Sequence, residues 1–454
     1  MTGTYCVVGG GISGLVAAYR IRALAGPAAI IRVFDPADRL GGVLRTDMLA
    51  GQVMDIGAEA FIARRPEVPA LLEELGLADR LISPTGVRTT VYSQGRLHPL
   101  PTGTVNGIPG SAEAMTGLVD RATVDQIAAE PDRPLRWESG GDPAVGAVVA
   151  ERFGEQVVTR SLDPLLSGVY AGSAATIGIR SAVPTVAAAL DAGASSLTEA
   201  VRRVLPGSTS GPVFGAIEGG YRVLLDELIT RARLDWIQAP VTGIAPESGA
   251  PSGGWILTDG TGARWHTDAV VVAVAAAQAA ALLGGIAPRS AAAAARVPIA
   301  SAAILALALP AGTPFPPQSG VLVATGEALH CKAITLSTRK WGGQPAGMGQ
   351  AELLRMSFGR FGDTLARSVS DEDLLAWALE DLNTVFGIRA EPVDVLVHRW
   401  IDALPQYGPG HGALASDVRA DLPPGVAVAG NYLDGVGVPA CVAAAGAAAA
   451  RVAR

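Results

Sequence analysis

The stretch Val7-Val8-Gly9-Gly10-Gly11-Ile12-Ser13-Gly14 decides the fold of this chain. Residues 5–8 predict a short buried strand and residues 13–24 predict a helix, so that the glycines lie on a strand-to-helix turn. In this GxGxxG pattern the first glycine permits the tight turn, the second lets a phosphate group approach the backbone, and the third lets the helix pack against the strand. The helix N-terminus offers free N–H groups to that phosphate. The stretch therefore predicts a dinucleotide-binding βαβ unit.

Two further features narrow the type of dinucleotide. The strand predicted at residues 30–34 ends at Asp35, whose carboxylate can accept hydrogen bonds from a ribose hydroxyl. A second glycine pair, Gly41-Gly42, follows six residues later. Such a pair alone is typical of a hairpin turn. In this order of motifs it favours flavin adenine dinucleotide (FAD), because FAD is longer than a nicotinamide dinucleotide and, bound extended, needs a second close approach of the backbone.

Composition and charge exclude several classes of protein. The chain has 454 residues, of which 49% are hydrophobic and 5% aromatic, and this length predicts two or three domains. We find no run of about 18 apolar residues and no signal sequence, and therefore expect no transmembrane segment. The three scattered cysteines and five histidines show no metal-ligand spacing, and a net charge of −7 argues against nucleic acid. We expect a cytoplasmic protein, with peripheral membrane contact left open.

The order of predicted elements indicates an α/β fold with a discontinuous cofactor domain. We expect a Rossmann-like FAD-binding domain of the glutathione-reductase/amine-oxidase type, a β-sheet substrate domain and a helical insertion. Residues 1–82, 207–297 and 411–454 are assigned to FAD binding, 83–206 to the mostly helical insertion with possible substrate and membrane contacts, and 298–410 to the β-rich substrate domain.

Three predicted helices bear on this organisation. One is expected at residues 111–127 in the insertion, and another near residues 371–386 as the cover of the second sheet. A third, over residues 438–452, follows a glycine-rich turn at residues 431–437. Its N-terminus would point at the middle of the cofactor.

Four further motifs carry a resemblance to a known family. They are Gly57-Ala58-Glu59-Ala60-Phe61, Ser167–Gly172, Gly219-Gly220-Tyr221 and Gly435–Pro439. With the glycine motifs, they resemble the flavoprotein group that contains amine oxidases, phytoene desaturases and protoporphyrinogen oxidases. Within that group the chain is most similar, essentially from end to end, to the oxygen-dependent coproporphyrinogen III oxidases of bacteria.

The resemblance implies a set of FAD contacts. They fall on Gly9, Gly10, Gly11, Ile12, Ser13, Gly14, Asp35, Pro36, Arg39, Gly41, Gly42, Val43, Gly57, Ala58, Glu59, Ala60, Val241, Trp400, Val436, Gly437 and Val438. The chain departs from the family pattern at two places. Asp35 replaces the commoner Glu, which is one methylene longer, and Gly430-Asn431 stands where many flavoproteins have Gly-Asp.

The resemblance also implies a reaction. The family removes six electrons from coproporphyrinogen III with FAD and O2, which gives coproporphyrin III and hydrogen peroxide in haem biosynthesis. Because the flavin N5 accepts the hydride, no catalytic protein side chain is expected. Protoporphyrinogen IX is the alternative substrate, and a handover of product to a ferrochelatase is possible in such a pathway.

A substrate with four propionates requires cations in a protein of negative net charge. Arg64 and Arg65 directly follow the Gly57–Phe61 motif and are the first candidates, with Lys340 and Arg45 as weaker ones. The alternative for the arginine pair is a solvent-exposed position at the start of the next helix. Aromatic rings are candidates to flank the macrocycle, although such rings more often belong to the core. These rings are Phe61, Tyr170 and Tyr407.

Three other functions remain open from the sequence. A flavin amine oxidase would need a lysine near the flavin N5 and paired aromatic rings, neither of which can be assigned. A phytoene-type desaturase would need a long apolar tunnel and membrane association. The third alternative is a flavin- and porphyrin-binding protein without turnover.

Overall fold

The computed structural model describes residues 3–205, 211–247, 253–342, 350–389 and 391–453. A five-stranded parallel sheet forms its first layer, and we call it the cofactor sheet. Its strands, in spatial order, are Asp235–Ile237, Ile30–Phe34, Thr4–Val8, Ala269–Val272 and Val426–Val428. The central strands are apolar and buried because helices or a second sheet cover both faces. The expected α/β fold is confirmed.

The two faces of the cofactor sheet are covered by different layers. On one face, three helices share a core with the strands: Ile12–Ala25, Tyr221–Ala232 and Val438–Val452. On the other lie an antiparallel sheet and two helices: Val241–Pro246, Trp255–Asp259, Arg264–Thr267, Ala276–Leu283 and Pro288–Ala294. The carboxyl ends of the strands therefore meet at one edge, where ligands bind in such sheets.

A separate core holds the helical insertion together. Its helices are Arg121–Ala129, Val145–Phe153, Glu155–Val157, a π-helical turn at Val158–Leu162, Asp163–Tyr170, Ile179–Ala182, Pro184–Asp191 and Leu197–Val204. The prediction of one continuous helix over residues 111–127 was wrong. A 3₁₀ turn at Ala112–Met115 ends before Gly117, which has φ +85°, and a new helix begins after Asp120, whose carboxylate accepts a 2.8 Å hydrogen bond from Thr123 N.

A seven-stranded mixed sheet, here called the substrate sheet, forms the third unit. Its strands, in spatial order, are Asp394–Pro405, Ile299–Leu309, Glu352–Phe358, Ala333–Thr335, Gly320–Val323, Thr89–Ser93 and Arg96–Pro99. The helix Asp371–Phe386 packs on one face, as predicted. The last two strands come from residues 83–206, the segment expected to form the helical insertion. Part of that segment therefore belongs to the substrate sheet.

Short elements connect these units. They are the hairpin Thr46–Leu49 with Gln52–Asp55, the strands Phe61–Ile62, Leu81–Ile82 and Phe214–Ile217, the pair Thr104–Val105 with Ile108–Pro109, the 3₁₀ turns Ala78–Arg80 and Glu130–Asp132, and the helices Glu67–Glu74, Ser337–Trp341, Leu365–Ser368 and His411–Asp417. None of the helices within the described ranges is both long and apolar enough to cross a membrane.

Candidate active site

Two glycine turns meet at the carboxyl edge of the cofactor sheet. Gly41 N donates a 2.7 Å hydrogen bond to Gly10 O, which joins the second turn to the first. A Cβ atom on Gly14 would lie 1.9 Å from Gly9 O, so only glycine permits the helix to pack this closely. Arg39 encloses the second turn, because its guanidinium donates to the carbonyls of Gly42 and Leu44 at 2.6 and 3.0 Å.

Asp35 is tied to the first turn. Its Oδ2 accepts a 2.7 Å hydrogen bond from Gly10 N, and its Oδ1 accepts one of 2.9 Å from Ala37 N. The shorter side chain, compared with Glu, thus fixes the loop between strand and glycine turn. Each carboxylate oxygen retains a lone pair for a ribose hydroxyl.

Gly11 leaves a gap beside the contact between the two turns, which suits the close approach of a pyrophosphate. A Cβ on Gly11 would meet a single atom within 4 Å, the Cα of Gly42 at 3.9 Å. Gly11 is also the N-cap of the helix Ile12–Ala25, and no side chain caps that helix. Its first turn carries no acidic residue, so backbone N–H groups and the positive dipole end face the gap.

A second uncapped helix points toward the same region. The helix Val438–Val452 begins after Gly437, has no side-chain cap and carries no acid in its first turn. Val438 packs in the core of the cofactor domain, whereas Val436 packs against the insertion core. The turn therefore lies between the two units, at the place expected for the flavin ring.

The segment 57–60, which the resemblance assigns to FAD and which we call the flavin-edge segment, lies against the substrate sheet. A Cβ on Gly57 would lie 1.9 Å from Val43 O and 3.2 Å from the Trp400 ring, which leaves room for glycine only. Trp400 Nε1 donates a 3.1 Å hydrogen bond to Ile56 O. Arg355 donates to Asp55 O at 2.8 Å and to Gly57 O at 2.9 Å. These hydrogen bonds fix the position of the flavin-edge segment relative to the substrate sheet.

A partly buried ion pair holds the same segment. Glu59 accepts hydrogen bonds of 2.8 Å from Lys340 Nζ and 2.7 Å from Ser337 Oγ. Burial acts to raise the pKa of Glu59, but the charges of Lys340 and Arg355 outweigh burial and lower this pKa to about 2. Glu59 is therefore ionised at neutral pH and is a poor proton acceptor.

Asp55 explains the Gly219-Gly220-Tyr221 motif. Both glycines have positive φ, and a Cβ on Gly220 would lie 2.9 Å from Asp55 Oδ1. That oxygen accepts a 3.2 Å hydrogen bond from Tyr221 N and so caps the helix Tyr221–Ala232. Burial raises the pKa of Asp55 to about 6. The motif is thus the start of a helix, which is capped by Asp55 at the end of the strand Gln52–Asp55.

One part of the substrate sheet is incompletely covered on one face. Residues of one parity on its strands pack against the helix Asp371–Phe386. On the opposite face the hairpin 46–55 covers Ala306 and Ala308. In the next row across the sheet, Ser357 pairs with Ala333, and Ala333 pairs with Leu322. These three residues are half-buried although they lie on interior strands, so the face above them is open.

The helix Asp163–Tyr170 packs beside this face of the sheet, and we call the space between them the cleft. A Cβ on Gly168 would lie 4.0 Å from Leu322, and the next residue, Val169, is 51% exposed. At the far end of this helix, Ala171 packs on Ala302 of the sheet, and Ala171 O accepts a 2.6 Å hydrogen bond from Phe361 N. The cleft is therefore bordered by small or apolar side chains, both on the sheet, which forms its floor, and on the helix, which forms its wall.

The predicted substrate residues differ in how well they fit this cleft. Arg64 donates to the carbonyl of Gly211 at 2.9 Å and lies at the surface. Arg65 forms a salt bridge with Glu67, as expected of a helix-start residue. Lys340 is engaged by Glu59. Tyr170 stays a prediction: its ring is buried in the insertion core and its hydroxyl donates to Ser181 O at 3.2 Å, whereas Val169 of the same helix is exposed.

The cleft residues Ala333 and Ser357 were not predicted. A signal for Ser357 exists in the sequence, since Arg355 and Ser357 alternate with apolar residues along the strand Glu352–Phe358. Arg355, which donates to the carbonyls of Asp55 and Gly57, carries no motif. Val241 lies where expected, at the start of its strand and against the core that contains Phe34.

Comparisons with known proteins agree with this geometry. The family model for flavin-containing amine oxidoreductases matches residues 12–453. Proteins named coproporphyrinogen III oxidase from Mycobacterium tuberculosis and Mycobacterium leprae are 61% and 59% identical over 443 residues, which cover 98% of this chain and 96% of each relative. The protein of that name from Bacillus subtilis is 27% identical over 96% of this chain and 95% of its own.

Solved structures show the same fold. A provisionally assigned protoporphyrinogen oxidase from Exiguobacterium sp. 255-15 superposes with a TM-score of 0.88 at 27% identity, covering 100% of this chain and 99% of that one. Cyclohexylamine oxidase from Brevibacterium oxydans superposes with a TM-score of 0.72 at 17% identity, over 100% and 99% of the chains. The glycine turns, the uncapped helices and these similarities identify FAD as the cofactor. The chain belongs to the flavin-containing amine oxidoreductases, in the branch that contains the coproporphyrinogen III oxidases.

Proposed function

We propose that this protein oxidises coproporphyrinogen III to coproporphyrin III in haem biosynthesis. The balanced reaction consumes three O2 and releases three H2O2 for the six electrons removed. The observation that carries the proposal is the cleft. Its floor is formed by the paired residues Ala333 and Ser357 of the substrate sheet, which are half-buried. Arg355 and Trp400 of the same sheet hold the flavin-edge segment. A flat macrocycle fits such a cleft, and the substrate follows from the names of the relatives at 61% identity.

The protein's own residues supply binding, orientation and exclusion of water. When bound, FAD supplies a hydride acceptor at N5 that O2 reoxidises. The small residues of the floor allow a tetrapyrrole to lie flat and bring a meso carbon toward the flavin-edge segment. No side chain is assigned as proton acceptor, because the pyrrole N–H proton can leave through tautomers as conjugation grows. Glu59, held by Lys340, keeps a fixed negative charge beside this segment.

For recognition of the four propionates, Arg64 is our first choice. Its partner among the described residues is the neutral carbonyl of Gly211, so its charge is not compensated there. Arg65 is second, because Glu67 already neutralises it. A guanidinium can bind a carboxylate with two parallel hydrogen bonds, which suits propionate recognition.

The proposal places the reaction in the cytoplasm, with peripheral membrane contact and product transfer to a ferrochelatase as further parts of it. The three cysteines, Cys6, Cys331 and Cys441, are buried and free, which supports a reducing compartment.

The test is turnover by the purified yellow protein in air. We expect coproporphyrin fluorescence and H2O2 in a ratio of one to three. Absence of both products with FAD bound would exclude the oxidase function. Protoporphyrinogen IX is measured in parallel, because the neighbour from Exiguobacterium is assigned to that substrate. Faster turnover of protoporphyrinogen IX would transfer the proposal to it.

A further inference from the structure

We propose that Tyr407 is a positioning residue for the flavin. Its hydroxyl donates a hydrogen bond to the carbonyl oxygen of Asn431, the first residue of the turn that precedes the helix Val438–Val452. Through this bond Tyr407 sets where the uncapped N-terminus of that helix points. The inference depends on FAD binding and is independent of which porphyrinogen the protein oxidises.

The turn is held from the same segment at a second point. The imidazole of His411 stacks on the Tyr407 ring, with centroids 3.8 Å apart and an angle of 13° between the planes. His411 Nε2 lies 3.0 Å from the carbonyl oxygen of Leu433. A carbonyl oxygen only accepts hydrogen bonds, so we assign the proton to Nε2. Burial lowers the pKa of His411, and the ring is therefore neutral in this stack at neutral pH.

Tyr407 is itself anchored outside the cofactor domain. Its carbonyl oxygen accepts a 2.8 Å hydrogen bond from Gly178 N of the helical insertion. Its ring lies 5.8 Å from the ring of Tyr170, whose carbonyl accepts a 2.7 Å hydrogen bond from Gln406 Nε2. The segment 406–411 thus connects the helix that forms one cleft wall with the turn next to the flavin.

This connection matters because the turn has little regular structure of its own. Residues 431–437 form no helix or strand, and Gly435 has φ +155°. The side chain of Asn431 holds the turn to the substrate sheet, because its Nδ2 donates a 3.1 Å hydrogen bond to Ala403 O. The interaction of a helix dipole with a nearby charge falls off within about one turn of helix, so a small displacement of the N-terminus changes it.

Two tyrosine-to-phenylalanine substitutions test the role. Tyr407→Phe keeps the stacked ring and removes the donor to Asn431. The matched control is Tyr92→Phe: the ring of Tyr92 is buried in the core between the substrate sheet and the helix Asp371–Phe386, away from the turn 431–437. We measure the Kd for FAD by titration of the stripped protein, and the midpoint potential of the bound flavin.

We expect Tyr407→Phe to raise the Kd for FAD about tenfold, the size of one lost hydrogen bond, and to lower the midpoint potential. Tyr92→Phe should leave both quantities at the wild-type values. Wild-type Kd and potential in Tyr407→Phe would overturn the proposal, and so would equal changes in both variants. If Tyr407→Phe does not fold, His411→Leu, which lacks the donor to Leu433, and His411→Gln, which retains one, replace it. A larger loss of FAD affinity in His411→Leu supports the role, and equal affinities overturn it.

Discussion

The ammonium of Lys340 lies 2.8 Å from the carboxylate of Glu59, and this ion pair joins the substrate domain to the flavin-edge segment. The two side chains are 23% and 12% exposed, so water screens the pair only in part. Removal of Lys340 leaves Glu59 partly buried with the charge of Arg355 and the hydroxyl of Ser337 as remaining partners, so its burial is compensated less completely. Lys340 is therefore assigned to the architecture of the site rather than to direct contact with substrate.

Lys340→Met should lower the free energy of unfolding by about 3 kcal/mol at pH 7, and the additional substitution Glu59→Gln should restore part of it. The pKa of Glu59 is about 2 when folded and 4.5 ordinarily. Its contribution is therefore complete above pH 4.5 and is lost as the pH falls toward 2. Urea unfolding at pH 7 and at lower pH measures both effects. Equal stability of wild type and Lys340→Met would contradict the prediction.

Gly11 and Gly14 are expected to fail in different ways when each is replaced by alanine. At Gly14 the Cβ would lie 1.9 Å from Gly9 O, so the FAD-free protein should lose about 2 kcal/mol of stability. At Gly11 the Cβ has room, and φ is −72°, so the FAD-free protein should keep its Tm. Its FAD affinity should fall at least about a hundredfold, because the methyl group occupies the gap between the glycine turns.

Flavin absorbance after purification and thermal unfolding of the stripped proteins separate these outcomes. Gly446→Ala is the control, since nothing lies within 4 Å of its added Cβ and it lies inside a helix. It should gain about 0.5–1 kcal/mol. Full flavin content in Gly11→Ala would show that the gap does not receive the pyrophosphate.

Lys332 predicts a pH dependence at alkaline pH. Its ammonium is buried, and its hydrogen bond goes to Gly359 O at 2.6 Å. Burial lowers the pKa of Lys332 from 10.5 to about 7. Between these values the unfolded chain binds a proton that the folded chain has lost, so the wild type gains stability as the pH rises from 7 to 10.5.

The substitution Lys332→Met removes this titration. The difference in unfolding free energy between wild type and variant should rise in favour of the wild type over that interval and be constant below pH 7. A difference that does not change with pH would mean that Lys332 has an ordinary pKa in the folded protein.

The glycine motifs predicted the cofactor half of the fold because steric limits at Gly9 and Gly14 act within a few residues of sequence. The helix at 371–386 was equally predictable, since Ser370 caps it locally: its Oγ accepts a hydrogen bond from Asp373 N. The pairing of Thr89–Ser93 with Gly320–Val323 was not, because parallel pairing across more than two hundred residues leaves no local pattern. Glu59 was predicted to touch the cofactor. Its hydrogen bond with Lys340 was not predicted, because the two residues are 281 positions apart and leave no local pattern either.

Arg64 should bind a propionate if the proposed function holds. Arg64→Glu should raise KM for coproporphyrinogen III more than it lowers kcat, because the interaction exists already in the bound ground state. Arg80→Glu is a surface control with the same charge change, at a residue that pairs with Glu218. Steady-state kinetics at constant FAD occupancy provide the values. An unchanged KM in Arg64→Glu would reject this assignment.

The floor of the cleft gives the sharpest test of where the substrate lies. Ala333 is half-buried on an interior strand, opposite Ser357 and Leu322, so a phenylalanine there projects into the cleft without replacing a core contact. Ala333→Phe should bind FAD normally and lose at least about a hundredfold in kcat/KM for coproporphyrinogen III, which corresponds to about 2.7 kcal/mol of transition-state stabilisation.

The same enlargement at an exposed hairpin position, Ala263→Phe, should leave kcat/KM unchanged and so controls for a general effect of the bulky side chain. Flavin reduction is followed anaerobically and its reoxidation in air, because a blocked cleft slows reduction by substrate while the reaction of reduced flavin with O2 proceeds. If Ala333→Phe is reduced at the wild-type rate, the macrocycle does not lie on this face of the sheet.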